Sequence, residues 1–262
     1  MWRAAMPELP EVETLCRQLQ KMICGRKISA SKVYDDKLAH IKNIRGKTVI
    51  GVERQGKMID ILLDDGMSIL IHLRMTGRLL WHESADKPKH SRWKITFAGN
   101  NLFLVDPRRF ATVKILKTVP CDPGRDIFKK FDLTNFIKSN GCRKTKVKIL
   151  MMDQKALAGI GNIYACEILY RAGIHPERIA ATLSEDEWEK IFGHAKEILK
   201  VAIKKRGTSI SDWRDLFGLK GQNQHELKVY GQEGSLCLIC GGKICRIKQG
   251  GRSTFYCPGC QK

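Results

Sequence analysis

The chain has 262 residues, room for one large or two modest domains with an ample core. Lys and Arg outnumber Asp and Glu 47 to 27, a formal charge of +20 spread along the whole length. Folded surfaces should therefore be positive and suit a polyanion, nucleic acid before any other. No apolar run is long enough to span a bilayer, Met1-Trp2-Arg3-Ala4-Ala5 is too short for a signal peptide, and the ten cysteines are not spaced as a disulfide scaffold. These features predict a soluble, intracellular protein with reduced thiols.

The first stretch with chemistry is Met6-Pro7-Glu8-Leu9-Pro10-Glu11-Val12-Glu13-Thr14. If translation starts at Met6 and that methionine is removed, Pro7 becomes a free secondary amine. An α-amino group ionises near 7.7–8.0, about two and a half units below lysine, so much of it is an uncharged nucleophile near neutral pH. Attack of such an amine on a sugar C1′ leads to an iminium, the logic of Schiff-base catalysis, with Glu8 beside it to move protons. Read alone, the stretch is more simply a proline-rich lead into a helix. From Glu11 to Ile23 the apolar positions Val12, Leu15, Leu19, Met22 and Ile23 recur at helical spacing, and Gly25 ends the run.

Strands follow over Lys47–Glu53, Met58–Leu63, Met67–Leu73, Trp93–Phe97, Leu102–Val105 and Thr112–Leu116, with turns at Asp64-Asp65-Gly66 and Gly99-Asn100-Asn101. One helix with several short strands predicts an antiparallel β-sandwich. Three places in it combine chemistry with a turn. Lys57 follows Gly56 at the head of a strand, where an ammonium suits a phosphate. His72-Leu73-Arg74-Met75-Thr76-Gly77 ends a strand and lets Met75 protrude. Asp106-Pro107-Arg108-Arg109-Phe110 puts two guanidiniums and an aromatic in one sharp loop. Met and Phe serve as wedges between base steps, and Arg can fill the space of an extruded base; core filling and solvated turns explain each motif equally well.

Pro120-Cys121-Asp122-Pro123-Gly124 breaks the strand pattern, and the chain reads as helical from about Asp126 to Arg206. Lys148 precedes Gly159-Ile160-Gly161-Asn162-Ile163-Tyr164, in which Asn162 sits just before a helix, as an anion site or as a plain N-cap. Ser184-Glu185-Asp186-Glu187 is a capping box opening a long scaffold helix. Cys237-x2-Cys240 and Cys257-x2-Cys260, sixteen residues apart, have the spacing of a structural four-cysteine zinc site with no open coordination position. Cys245 is off that pattern. Lys243, Arg246, Lys248 and Arg252 make the loop between the pairs a basic tip for phosphate.

Pro7–Thr14, the Asp106–Phe110 loop, Gly159–Tyr164 and Arg252-Ser253-Thr254-Phe255-Tyr256-Cys257 occur in that order. In this respect the chain closely resembles the formamidopyrimidine-DNA glycosylases over nearly its whole length. The resemblance implies an α+β multidomain protein. Its parts would be an N-terminal antiparallel β-sandwich with a leading helix (1–124), a helical domain with a helix–two-turn–helix motif (125–230) and a four-cysteine zinc finger (231–262), with DNA across a cleft. It implies removal of 8-oxoguanine and ring-opened purines from damaged double-stranded DNA by a monomer holding one zinc, cytoplasmic or nucleoid-associated if bacterial. Pro7 would be the nucleophile and Glu8 the acid/base residue, with Lys57 beside them in the catalytic set. Met75, Arg108 and Phe110 would fill the vacated stack and wedge the opposite strand. His90, Lys148, Asn162 and Arg252 would contact DNA. The iminium would then undergo β- and δ-elimination.

Four departures qualify this. Met1–Ala5, if retained, make Pro7 an amide. Arg74 stands where the family turn carries glycine. Gln222-Asn223-Gln224-His225 occupies a lesion-recognition loop that carries aromatics in familiar members, and Gln232 replaces an arginine. Competing readings are an endonuclease VIII-like enzyme for oxidised pyrimidines, which Leu9 disfavours, and a silent damage-binding protein with Pro7 blocked. A zinc-ribbon DNA-binding factor leaves the first half of the chain unexplained.

Overall fold

The computed structural model describes residues 6–84, 86–117 and 123–262. The Met1–Ala5 extension and the Pro120-Cys121-Asp122 part of the expected boundary lie outside the described residues. The chain forms two compact units, Met1–Cys121 with Ala202–Gln224, and Asp122–Val201 with His225–Lys262.

The first unit begins with helix α1 (Leu9–Ile23), started by a reciprocal capping box between Glu8 and Glu11 and by Pro10 in its first turn. Its strands are β1 (Ala30–Val33), β2 (Val49–Gln55), β3 (Met58–Leu63), β4 (Met67–His72), β5 (Arg78–His82), β6 (Ser91–Phe97), β7 (Asn100–Val105) and β8 (Thr112–Lys117). They make two antiparallel four-stranded sheets, ordered β1-β6-β7-β5 and β2-β3-β4-β8. One buried cluster takes side chains from both sheets, among them Ile59, Ile61, Ile69, Ile71, Trp93, Ile95, Phe97 and Leu104. Val12, Leu15 and Leu19 of α1 and Trp213 and Leu216 of the returning chain close it. This is the expected sandwich.

Two strands of this unit escaped the sequence reading, β1 and β5, and both lie at sheet edges. The β6–β7 turn is one residue tighter than expected, at Ala98-Gly99, because Phe97 pairs with Asn100.

The second unit holds α2 (Leu133–Asn140), α3 (Val147–Met152), α4 (Asn162–Ala172) and most of α5 (Glu185–Lys204). The α5 capping box forms as expected: the Glu187 amide donates to Ser184 Oγ at 3.2 Å and the Ser184 amide to Glu187 Oε2 at 3.0 Å. The hairpin of β9 (Cys245–Gln249) and β10 (Arg252–Tyr256) packs its Phe255 with Cys166, Tyr170 and Val229.

Candidate active site and metal centre

Pro7 and Glu8 are buried at the head of α1. The Glu8 amide donates to Glu11 Oε2 at 2.8 Å, and the other oxygen of Glu11 accepts the Thr208 amide at 2.7 Å. Glu11 thus ties the Pro7-Glu8 segment to the turn after α5. Gly207 in that turn has φ +78°, and a Cβ there would stand 2.7 Å from the Glu11 carboxylate, so only glycine fits. The next residues, Gln222 to Gln224, seat on the same turn. Asn223 Nδ2 donates to Thr208 Oγ1 at 2.8 Å, and Gln224 Oε1 accepts the Ser209 amide at 3.1 Å. Asn223 is buried as a structural residue, whereas Gln222 and His225 are exposed.

Lys57 lies in the two-residue turn between β2 and β3 rather than in a strand. Buried Arg54 holds that turn, donating from Nη1 to the Gly56 carbonyl at 3.2 Å and from Nε to Glu13 of α1 at 2.9 Å.

The Met75 turn and the 106–110 loop meet. Arg108 Nη1 is 4.0 Å from Met75 Sδ, and the guanidinium lies 4.6 Å above the Phe110 ring, which is 47% exposed. An exposed aromatic with a cation over its face fits a partner that stacks. The unforeseen residue here is Asp106. Its buried carboxylate accepts from the amides of Arg108, Phe110 and Ala111 at 3.2, 2.7 and 2.7 Å. It also accepts from Thr76 Oγ1 at 2.5 Å, so one side chain fixes both loops. Arg92 Nη1 approaches it at 3.4 Å and donates to the Ala111 carbonyl at 2.6 Å, while Arg92 Nε pairs with Asp35. His90 is exposed, with φ +64°, and its carbonyl accepts the Asp106 amide at 3.0 Å. Gly77 closes the Met75 turn, where a Cβ would stand 2.4 Å from the Leu73 carbonyl oxygen.

In the second unit, Asn162 is the first residue of α4, not its cap. Its Oδ1 accepts from Lys148 Nζ at 2.5 Å and its Nδ2 donates to the Ser253 carbonyl at 2.9 Å. Lys148 is wholly buried and also donates to Thr254 Oγ1 at 2.8 Å. No pattern in the chain announces this burial, because Lys148 stands among other lysines. Next along β10, Arg252 is exposed, its Nη1 3.8 Å from Met152 Sδ. Glu167 is a second buried anchor, its carboxylate accepting the amides of Lys228, Val229 and Tyr230 at 2.8–3.0 Å. Burial pushes its carboxyl up, and those three donors oppose the shift. A carboxylate inside the otherwise apolar run Ala165–Tyr170 was the available signal.

The sulfurs of Cys237, Cys240, Cys257 and Cys260 lie within 4.8 Å of one another, with Cys237–Cys260 at 3.7 Å and Cys240–Cys257 at 3.4 Å. Four thiolates about 2.3 Å from a tetrahedral Zn²⁺ stand roughly 3.8 Å apart, so the cluster fits one structural zinc. The Tyr170 hydroxyl lies 3.2 Å from Cys237 Sγ, and burial pushes its ionisation up, leaving it a donor to the thiolate. Cys245 stays outside the cluster.

An antiparallel sandwich, a helical unit and a four-cysteine ribbon bearing these loops define a class that comparison makes specific. Residues 6–113 match the formamidopyrimidine-DNA glycosylase N-terminal domain, 122–213 the H2TH domain of the same enzymes, and 234–262 the zinc finger found in FPG and IleRS. The formamidopyrimidine-DNA glycosylase of Carboxydothermus hydrogenoformans is 41% identical over 98% of this chain and 100% of its own length. That of Gluconobacter oxydans is 38% identical over 98% and 100%. A Lactococcus lactis FPG mutant in complex with Fapy-dG-containing DNA superposes with a TM-score of 0.90 at 34% identity, covering 98% of this chain and 100% of that one. The L. lactis Fpg complex with abasic-site DNA gives 0.89 at 35% identity, covering 97% and 99%. The chain belongs to the formamidopyrimidine-DNA glycosylase family. Among the described residues no helix is long and apolar enough to cross a membrane.

Proposed function

We propose that this chain is a base-excision DNA glycosylase with lyase activity that removes oxidised purines from duplex DNA. The observation that carries the reading is Pro7-Glu8 at the head of α1, inside a family match that begins at residue 6. With residues 1–6 gone, the Pro7 nitrogen bonds to C1′ as the C1′–base bond breaks. The base leaves with a proton, supplied in this reading by Glu8, the residue next to the nucleophile. Opening of the sugar ring gives the iminium, and β- then δ-elimination cuts the strand on both sides. Lys57 completes the catalytic set by holding a phosphate of the damaged nucleotide.

The Met75–Arg108–Phe110 cluster supports a role in filling the vacated stack. His90, Lys148, Asn162 and Arg252 are the further DNA contacts, Lys148 acting through Asn162 and the Thr254 hydroxyl. The functional division is 1–124 for catalysis, 125–230 for the helix–two-turn–helix and 231–262 for the zinc finger.

The test is Glu8→Gln on a duplex with one 8-oxoguanine, using protein that begins at Pro7. Binding should persist while excision falls by about 10²–10⁴-fold, the range of general acid–base catalysis. Undiminished excision would remove Glu8 from the mechanism.

A further inference from the structure

Exposed large apolar side chains are unevenly distributed over the molecule. Among the described residues, Ile50, Phe110, Val201, Phe217 and Leu219 are between 45% and 59% exposed and stand singly or in a pair. Leu236, Leu238 and Ile239 are 67%, 75% and 70% exposed and fall within four consecutive positions around Cys237. Metal binding needs the cysteines of this knuckle but not its apolar residues. Cys237 Sγ lies 3.7 Å from Cys260 Sγ and accepts the Ile239 amide at 3.5 Å, so the backbone wraps the sulfurs and the residues between Cys237 and Cys240 stay outside. Polar side chains would serve equally well there. Scattered apolar residues on a surface need no explanation, whereas a contiguous patch does.

Size and charge say what covers it. The three side chains expose on the order of 300 Å² of apolar surface, the size at which a patch on a monomer marks an interaction site. A stable dimer buries roughly 800 Å² on each subunit, so a second copy of this chain finds too little here. The surroundings are basic. Leu236 pairs with Lys243 across an antiparallel bridge, which sets the two side chains beside each other. Lys262 Nζ reaches the Pro258 carbonyl at 3.4 Å on the second cysteine knuckle, whose Gly259 abuts Cys240. From Gly231 to Lys262 five Lys and Arg stand against one acid, Glu233, which already pairs with Arg246 at 3.2 Å. The negative charge that four thiolates leave on a bound Zn²⁺ offsets only part of this surplus. Arg252 lies at the far end of the β9–β10 hairpin: it pairs with Gln249 at the turn, whereas Cys245 pairs with Tyr256 next to the cysteines. A partner on the knuckle therefore leaves Arg252 open.

We propose that the Leu236–Ile239 knuckle docks a short segment of a partner protein in which apolar side chains stand among Asp and Glu. The apolar residues of that segment cover Leu236, Leu238 and Ile239, and its carboxylates face Lys243 and Lys262. A chain of charge +20 attracts acidic protein segments, and their own charge keeps them off DNA phosphates, so they are free to bind where this chain sits on DNA. The knuckle contact stands apart from the glycosylase reading, which enters only in placing DNA at Arg252.

The test uses the full chain loaded with zinc and an array of short synthetic peptides in which Leu, Ile and Phe are interspersed with Asp and Glu. A second array carries Lys and Arg in place of the acids. The tightest acidic peptide is dye-labelled and titrated by fluorescence anisotropy against the parent, L238S/I239S and K243E. Both replaced apolar side chains are exposed, so the double variant should keep one zinc per chain and the parent's thermal midpoint, and both are verified. Its affinity for the acidic peptide should fall about tenfold or more, the loss of burying two apolar side chains. K243E should weaken the peptide as well, and a duplex with a tetrahydrofuran abasic analogue should bind L238S/I239S as it binds the parent. The proposal is overturned if no acidic peptide binds the parent at about 1 mM, a concentration that detects even weak contacts. Equal binding of the basic array, or an affinity unchanged in L238S/I239S or in K243E, overturns it too. So does a patch-dependent dimer, patch-dependent binding to phosphatidylglycerol vesicles, or weaker duplex binding by L238S/I239S, which would assign the knuckle to a second copy, a lipid surface or DNA. A parent that binds the acidic peptide but no damaged duplex would overturn the glycosylase reading and leave the knuckle contact standing.

Discussion

Asp106 shows how one buried side chain sets the chemistry of its neighbours. Three backbone amides and the Thr76 hydroxyl converge on it, so Met75 and the Arg108–Phe110 segment are held by a single carboxylate. Behind it, Arg92 and Asp35 form a buried ion pair that Arg109 extends to the surface. Hydrogen bonds from Arg109, then Arg92, hold the Asp35 carboxyl well below the usual carboxylate range, against the opposing effect of burial. A depressed carboxylate contributes stability that is full above its unfolded pKa of about 3.9 and is withdrawn as the pH falls below it. Asp35→Asn should therefore cost about 3 kcal/mol at neutral pH, the lower end for removing one member of a buried pair. Its thermal midpoint should also fall less steeply than the parent's between about pH 5 and 2. Parallel midpoint curves for the two proteins would remove Asp35 from acid unfolding. The motifs at Pro7, Met75 and Arg108 were legible because they are local in sequence. Asp35 and Arg92 were not, because an ion pair 57 residues apart leaves no trace in spacing.

Elements were legible in proportion to how much of them is buried. The strands β3 and β4 alternate or run apolar against the core, and their bounds followed from pattern to within a residue. The edge strand β1 buries no residue fully, and Lys32 faces Lys94 across the pair, so Ala30–Val33 carries no alternation to read. Strand β5 shows only Leu79 buried, and it follows directly on the turn read at His72–Gly77. The ribbon behaves oppositely: four cysteines at fixed spacing announce it although it has few apolar residues. Its hairpin buries Phe255 and Thr254, and a structural zinc adds about 10–16 kcal/mol of folding free energy in comparable small sites. Stripping one zinc per chain with a chelator should abolish amide-exchange protection in β9 and β10, leave that of β3 and β4 unchanged, and weaken binding to abasic-site DNA. Full protection of the β9–β10 amides in verified zinc-free protein would contradict this assignment.

Across the whole molecule, the +20 charge set the partner class before any motif was considered, and the order of motifs along the chain set the family. The proposed reaction depends in addition on the state of one amine. Pro7 is a secondary amine only when nothing precedes it; with Met6 attached its lone pair belongs to a peptide bond. The most direct measurement is borohydride trapping on a duplex with one abasic site, with intact-mass analysis of protein and adduct. An abasic substrate bypasses the Gln222–Gln224 loop and reports on the amine alone. Protein beginning at Pro7 should give one covalent adduct, localised to Pro7, and protein retaining Met6 should give none. Protein with a free Pro7 that forms no adduct would contradict the lyase mechanism and leave damage binding as the function of the fold.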